Sequence, residues 1–198
     1  MKKVLNLYCG LGGNRSKWGY RYDVTAVEID PKIAKVYSLL YPKDKVIVGD
    51  AHDYLKEHYS EFDIIWTSPP CQTHSSFRKN ICCNFRGTKA EYPDMKLYSE
   101  ILFLKHYFKG DWIVENVKPY YEPLIQPTAK VHRHYIWSNK EIKDKKFETA
   151  NLRKAQIKDL QEYHNIDLSQ FDLKGLDKRQ LLRNMINSDM GRYLIKSL

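Results

Sequence analysis

The sequence predicts an α/β protein with a doubly wound, mostly parallel sheet, and three observations carry that expectation. Short apolar runs at 3–9, 23–30, 45–50, 62–66 and 111–117 have the length and character of buried strands. Segments with helical periodicity alternate with them at 31–41, 51–60 and 94–108. The connections between these units are short, as in successive βαβ units. A length of 198 residues suits one domain with a sizeable core.

The first strand, 3–9, runs directly into Gly10-Leu11-Gly12-Gly13. Such a turn lets backbone come close to a ligand and aims amides at it. Gly-x-Gly-Gly alone is a weak signal, because ordinary turns contain it too. A short helix start is expected at 14–20. The second strand, 23–30, ends in Glu28-Ile29-Asp30. An acid about 20 residues after a Gly-rich turn stands where nucleoside-binding folds hold ribose hydroxyls, and Glu28 has about that separation. Asp30-Pro31 reads instead as the N-cap and first position of the next helix. That helix, 31–41, carries Ile33, Val36, Tyr37 and Leu40 on one face. The third strand, 45–50, ends in Gly49-Asp50 and leads into a helix at 51–60.

The fourth strand, 62–66, is stopped by Pro69-Pro70, since proline cannot extend a hydrogen-bonded ladder. Cys71 therefore sits at the carboxyl end of a strand, the edge where open α/β sheets bind ligands. It reads either as a nucleophile or as a small buried cysteine. Residues 72–93 form a long polar loop with Arg78, Lys79, Arg86 and Lys89. Loops of that length are usually functional or mobile, and a lid over substrate is expected. Cys82-Cys83 lie in it without a second Cys/His pair at zinc spacing, so no metal is expected. A helix at 94–108 carries Leu97, Ile101, Leu104 and Phe108. The fifth strand, 111–117, brings Glu115 to the same edge as Cys71. A further strand at 131–137 carries Arg133. From 138 to 174 the pattern fades into mixed charge, with a helix expected at 151–163. Residues 177–198 read as helical, with an apolar stripe of Leu181, Leu182, Met185, Ile186, Tyr193 and Leu194.

The formal charge is +9, from 33 Lys+Arg against 24 Asp+Glu, and there are 15 tyrosines and 4 tryptophans. That balance suits a polyanionic partner, and a lysine-rich solubilising surface accounts for it equally well. No run approaches the ~20 apolar residues of a membrane helix. The first residues turn polar too soon for a secretory signal. The four cysteines form no disulfide framework. A reducing, cytoplasmic setting is expected.

Taken in order, the Gly-rich turn, the acid after strand two, Gly49-Asp50, Pro69-Pro70-Cys71-Gln72, Glu115-Asn116-Val117 and the strand with Arg133 resemble the DNA (cytosine-5) methyltransferase family. The resemblance covers 3–137 and, more loosely, 177–198. Its specific part is Pro69-Pro70-Cys71-Gln72 followed about 45 residues later by Val114-Glu115-Asn116-Val117. It implies a single catalytic domain over 1–198 of the S-adenosylmethionine-dependent, Rossmann-like methyltransferase type. The implied activity is methyl transfer to C5 of cytosine in DNA.

The resemblance also implies roles. Cys71 would add to C6 as a thiolate, making the ring enamine-like so that C5 can attack a methyl sulfonium. Glu115 would contact the exocyclic amine and N3. Arg133 would orient the base or stabilise the adduct. Around S-adenosylmethionine, the segment with Tyr8, Gly10, Gly12 and Gly13 would wrap the methionine part. Glu28 would hold the ribose, Ile29 would lie against the adenine and Asp50 would read its amine. Ala51, Pro70 and Asn184 complete the implied cofactor set, Asn184 from a helix packed beside it. DNA would present a flipped cytosine, because C6 is inaccessible in a stacked duplex.

The chain departs from the family pattern in two places. The family has Gln and two arginines near the strand at 131–137, whereas Ala129, Val131 and Arg133 stand here. The stretch 138–174 is too short for an independent recognition domain and reads as a reduced or vestigial target-recognition region. Either sequence reading is then minimal, or recognition comes from the 72–93 loop, a partner subunit or a second protomer. Alternatives are an RNA (tRNA) cytosine-5 methyltransferase, an amino-methyltransferase that needs no thiol, and a non-catalytic nucleic-acid-binding relative or subunit.

Overall fold

The structure is a computed structural model and describes residues 1–147 and 154–198. Its strands are β1 (Lys2–Leu7), β2 (Tyr22–Glu28), β3 (Lys45–Val48), β4 (Ile64–Thr67), β5 (Asp111–Val117), β6 (Ala129–Val131) and β7 (His134–Ser138). They form one sheet in the order β3-β2-β1-β4-β5-β7-β6. The first five are mutually parallel, whereas β7 runs antiparallel to β5 and β6 to β7. The helices are α1 (Pro31–Leu40), α2 (Ala51–His58), α3 (Asn84–Arg86), α4 (Lys96–Tyr107), α5 (Ile157–His164), α6 (Lys178–Asn184) and α7 (Ser188–Lys196). The expected doubly wound, Rossmann-like α/β fold is present, with the strands in the expected sequence order.

The alternation of side chains along each strand divides the core into two layers. Leu5, Leu7, Val27, Ile65, Trp112 and Val114 face α2 and α4, where they meet Leu55, Leu97, Ile101 and Leu104. Val4, Val24, Ile64, Trp66, Ile113 and Ile136 face the other way and pack on Ile186, Met190 and Leu194 near and within α7. Both faces of the central strands are thus covered, which is why those strands read as continuous apolar runs. Asp30 caps α1 through the amides of Lys32 (2.8 Å) and Ile33 (3.2 Å), with Pro31 in the first turn, as expected.

The later part of the chain differs from the sequence reading. The expected single strand at 131–137 is a hairpin, β6 and β7, turned at His132-Arg133 with His132 at φ 56°. The helical region at 177–198 is broken after α6, because Asn187 caps α7 through the amides of Asp189 and Met190. Within the 72–93 loop, a π-helical turn at Arg78–Cys83 runs into α3 and stops at Gly87, whose φ is +65°. The helix expected at 151–163 starts at Ile157, where Asp159 accepts from the Gln156 amide; residues 151–153 lie outside the described residues. Ala155, Leu160, Leu168 and Leu173 pack on Leu11, Val36 and Leu182. None of the described helices is long and apolar enough to cross a membrane.

Candidate active site

Strand order reverses between β1, whose chain continues towards β2 and β3, and β4, which returns on the other side. The crevice at the carboxyl ends of these two strands is the switch point where open α/β sheets bind ligands. The Gly-rich turn leaves β1 at that crevice and the Pro-Pro-Cys turn leaves β4 beside it.

The Gly-rich turn is tightly held. Tyr8, Gly10 and Gly12 have φ values of 55°, 52° and 74°. Only glycine adopts that region without cost, so Tyr8 is strained by about 1–2 kcal/mol. A Cβ on Gly12 would lie 2.3 Å from the Tyr41 ring, and one on Gly13 would lie 2.5 Å from the Ile186 carbonyl. Tyr41 Oη also donates to the Gly12 carbonyl (2.8 Å). Behind the turn, Arg15 makes a bidentate ion pair with Asp44 at 2.8 and 2.9 Å. The Glu28 carboxylate accepts from the amides of Gly10 (3.0 Å) and Asp30 (3.1 Å). It therefore joins the Gly-rich turn to the end of β2.

The other residues of the implied cofactor set are in different states. Ile29 is 68% exposed, an apolar side chain left uncovered beside the buried Glu28. Ala51 is buried at the start of α2. Asp50 caps α2 through the amides of His52 (2.7 Å) and Asp53 (3.3 Å), and its second oxygen takes Lys96 Nζ at 2.9 Å. The Lys96 contact, chiefly, holds the Asp50 carboxyl below its usual range. Pro70 is exposed in the turn before Cys71, and Asn184 is exposed at the end of α6.

At the second turn, Cys71 accepts at its carbonyl from the amides of His74 (3.1 Å) and Ser75 (3.0 Å). His74 is fully buried, with Nδ1 bonded to Tyr121 Oη at 2.5 Å. Burial pushes the Cys71 thiol up to about 11, and the Glu115 carboxylate adds to the rise. Arg133 and Arg183 act on it in the opposite sense. The Arg133 guanidinium is itself drawn down by burial and feels Glu115, Arg183 and Cys71. One thiol, one carboxylate and two guanidiniums thus share an electrostatic neighbourhood. They arrive from the β4 turn, β5, the β6–β7 turn and α6.

Glu115 is 5% exposed. It lies opposite Ile136 across the β5–β7 ladder, so His134 is its diagonal neighbour on the same face. His134 Nδ1 is hydrogen-bonded to Glu115 Oε1.

The sequence reading missed three contributors. Arg183 lies 5.5 Å from the centroid of Phe77, in the loop after Cys71. Asn116 donates to the Pro69 carbonyl at 2.9 Å and accepts from the Val117 amide at 2.9 Å. Glu100, fully buried on α4, collects hydroxyls from the ends of β1 and β4. Asn116 stood in the Glu115-Asn116-Val117 motif without a role of its own, and Glu100 left a trace as an acid inside the apolar stripe of its helix. Among the described residues, no group of three His, Cys, Asp or Glu side chains could hold a metal ion.

The model of the C-5 cytosine-specific DNA methylase family matches residues 2–123. The chain belongs to that family. Among solved structures, the methylase chain is similar in fold to the Entamoeba histolytica methyltransferase EhMeth. That match has 12% identity and a TM-score of 0.56, over 100% of this chain and 97% of that one. A Spodoptera frugiperda DNMT2 mutant matches at 25% identity and TM-score 0.41, over 60% of this chain and 36% of that one. A prophage-encoded E. coli chain described as a DNA modification methyltransferase matches at 20% identity and TM-score 0.39, over 62% of this chain and 34% of that one. The aligned part is thus about a third of the length of those last two proteins. No curated protein matches.

Proposed function

We propose that this methylase transfers a methyl group from S-adenosylmethionine to C5 of cytosine in DNA, through a transient bond between Cys71 Sγ and C6 of the base. The observation that carries the reading is that Asn116, next to Glu115 on β5, holds the Pro69 carbonyl of the turn that delivers Cys71 at the end of β4, with Glu115, Arg133 and Arg183 all acting on the thiol. Membership of the C-5 cytosine-specific DNA methylase family supplies the reaction class.

The residues at the Gly-rich turn fit the proposed methyl donor. A Cβ built on Gly10 would meet nothing within 4 Å, so that turn faces open space. The Glu28 carboxylate has about four lone-pair sites and uses two on backbone amides, leaving acceptors for ribose hydroxyls. Exposed Ile29 offers an apolar surface to an adenine face. Asp50 meets the adenine amine through Oδ2, the oxygen it shares with Lys96, because Oδ1 is committed to the helix cap. Tyr8, Gly12, Gly13, Ala51, Pro70 and Asn184 complete the cradle in this reading. Bound S-adenosylmethionine supplies an electrophilic methyl group.

The protein's own groups do the rest. Cys71 loses its proton to solvent as Sγ bonds to C6, the C5=C6 electron pair moves onto C5, and C5 takes up the methyl group as its bond to the sulfonium breaks and S-adenosylhomocysteine is left. Glu115 holds a proton at N3 and accepts from the exocyclic amine, neutralising the charge that develops there. Its bond to His134 keeps that carboxyl in place. Arg133 and Arg183 favour the thiolate and the anionic adduct. Water takes the C5 proton, its electron pair restores the C5=C6 double bond, and the C6–Sγ bond breaks to release the Cys71 thiolate, which is reprotonated from solvent.

In this reading, the basic loop at 72–93 meets phosphate. Lys79 Nζ sits 4.6 Å from the Tyr120 ring centroid, and Phe85 and Tyr92 are 84% and 96% exposed. Phosphate contacts of this kind position DNA without reading its sequence.

The test is methyl transfer from radiolabelled S-adenosylmethionine to DNA and to RNA, followed by nucleoside analysis. Label in 5-methyl-2′-deoxycytidine is expected. Label in 5-methylcytidine would move the substrate to RNA. Label on an exocyclic amine would contradict the covalent route.

A further inference from the structure

Glu100 is an anomaly on α4. It sits between Leu97 and Ile101 on the buried stripe and has no exposed surface. A carboxylate removed from water is costly unless it is paired or hydrogen-bonded. Glu100 is met by three side chains from three elements. Tyr8 Oη, just after β1, donates to Oε1 (2.5 Å). Thr67 Oγ1, at the end of β4, donates to Oε2 (2.6 Å). His52 Nδ1, on α2, lies 3.1 Å from Oε1. One turn earlier on the same helix, Lys96 grips the Asp50 cap of α2 at 2.9 Å.

Two of these partners stand at functional joints. Tyr8 is the non-glycine residue at φ 55° that opens the Gly-rich turn. A strained residue keeps such a conformation only when its surroundings fix it, and the Tyr8 hydroxyl is one such fixture. Thr67 is the last residue of β4, immediately before Ser68-Pro69-Pro70-Cys71. The Glu100 carboxylate therefore bridges the two turns that flank the switch point, one oxygen to each.

We infer that Glu100 is a positioning residue that sets the Gly-rich turn through Tyr8 and the Cys71 turn through Thr67, so that the methyl donor and the thiol are held in register. The inference rests on the reading of the Gly-rich turn as the S-adenosylmethionine cradle. Its two arms make separate predictions. Loss of the Tyr8 arm loosens the cradle and weakens cofactor binding. Loss of the Thr67 arm leaves the cradle intact and misplaces the thiol. Loss of Glu100 does both.

The experiment is calorimetric titration of the wild-type chain and of Glu100→Gln, Tyr8→Phe, Thr67→Val and the Tyr8→Phe/Glu100→Gln double variant with S-adenosylhomocysteine, alongside turnover at saturating methyl donor. Tyr8→Phe and Glu100→Gln should each weaken binding about tenfold or more. The double variant should bind no worse than Glu100→Gln, because both changes cut one link. Thr67→Val should bind as the wild type does and turn over at least tenfold more slowly. A purely structural role would lower Tm and leave the affinity of the folded variants unchanged. Unchanged affinity in Tyr8→Phe, which removes a single oxygen and should still fold, overturns the inference. If the wild-type chain itself does not bind S-adenosylhomocysteine, the cradle reading falls and this inference with it.

Discussion

The side-chain amide of Asn116 donates to the Pro69 carbonyl at 2.9 Å, so the strand that carries Glu115 also anchors the turn that carries Cys71. Asn116 is 1% exposed and points to the opposite face from Glu115. The proposed acid and the proposed nucleophile are therefore fixed to one another through a single residue. Replacing Asn116 with Ala should leave the Pro69 carbonyl unpaired in a buried place, costing about 1–3 kcal/mol of stability. Methyl transfer should fall further than the affinity for S-adenosylhomocysteine does. Urea denaturation and turnover measure the two effects.

A second prediction concerns the thiol. With its pKa pushed up to about 11, Cys71 in the free protein is protonated at neutral pH, and its alkylation by iodoacetamide should rise through that range. Glu115→Gln removes a negative charge that raises the thiol. The sign is therefore a lower pKa and faster alkylation at pH 8. Turnover in the same variant should drop by two orders of magnitude or more, about the size of a lost acid–base contribution. Mass-spectrometric labelling rates at Cys71 from pH 7 to 11 check the first part. Slower alkylation in Glu115→Gln would contradict it.

Removing a cation should do the reverse. Arg183→Met takes away a charge that favours the thiolate, so Cys71 alkylation at pH 8 should slow several-fold. Arg133→Met should act in the same direction. If Arg183→Met alkylates like the wild type, α6 contributes no charge to the site and its guanidinium serves only to cover Phe77.

For the cofactor edge, Glu28→Ala should weaken S-adenosylhomocysteine binding about tenfold or more and leave Cys71 alkylation close to wild type. The carboxylate that accepts from Gly10 and Asp30 would be gone, while the Cys71 turn would be untouched. Equal binding in the variant would remove Glu28 from the cradle.

The central strands were legible because each is covered on both faces and so appears as an uninterrupted apolar run. Asp30 was legible as a cap because Pro31 fixes the helix start. Cys71 and Glu115 came from short motifs at strand ends. The setting of Arg133 was not legible. Val131 and Tyr135-Ile136-Trp137 read as one apolar strand, and nothing in the composition announces that His132 takes a positive φ and folds them into a hairpin. Arg183 was hidden for a different reason. It acts on the thiol from α6, whose following segment packs on Gly13, a contact between residues remote in sequence that leaves no local pattern. Glu100 could have been found, since a carboxylate three residues after Leu97 and one before Ile101 must be buried if the stripe is. Asp50 shows how one acid can be read two ways, as the helix cap that the structure displays and as a reader of adenine.

The central claim is that Cys71 forms a covalent bond to cytosine C6. It is tested most directly by incubating the protein and S-adenosylmethionine with DNA, and separately RNA, in which cytosine is replaced by 5-fluorocytosine. Fluorine cannot leave C5 as a proton does, so a cytosine-5 enzyme stalls as an adduct that survives denaturation. The account predicts such an adduct with DNA, mapped to Cys71 by peptide mass and absent in Cys71→Ala. Methylation of ordinary cytosine at full rate by Cys71→Ala, or an adduct on another residue, would contradict it.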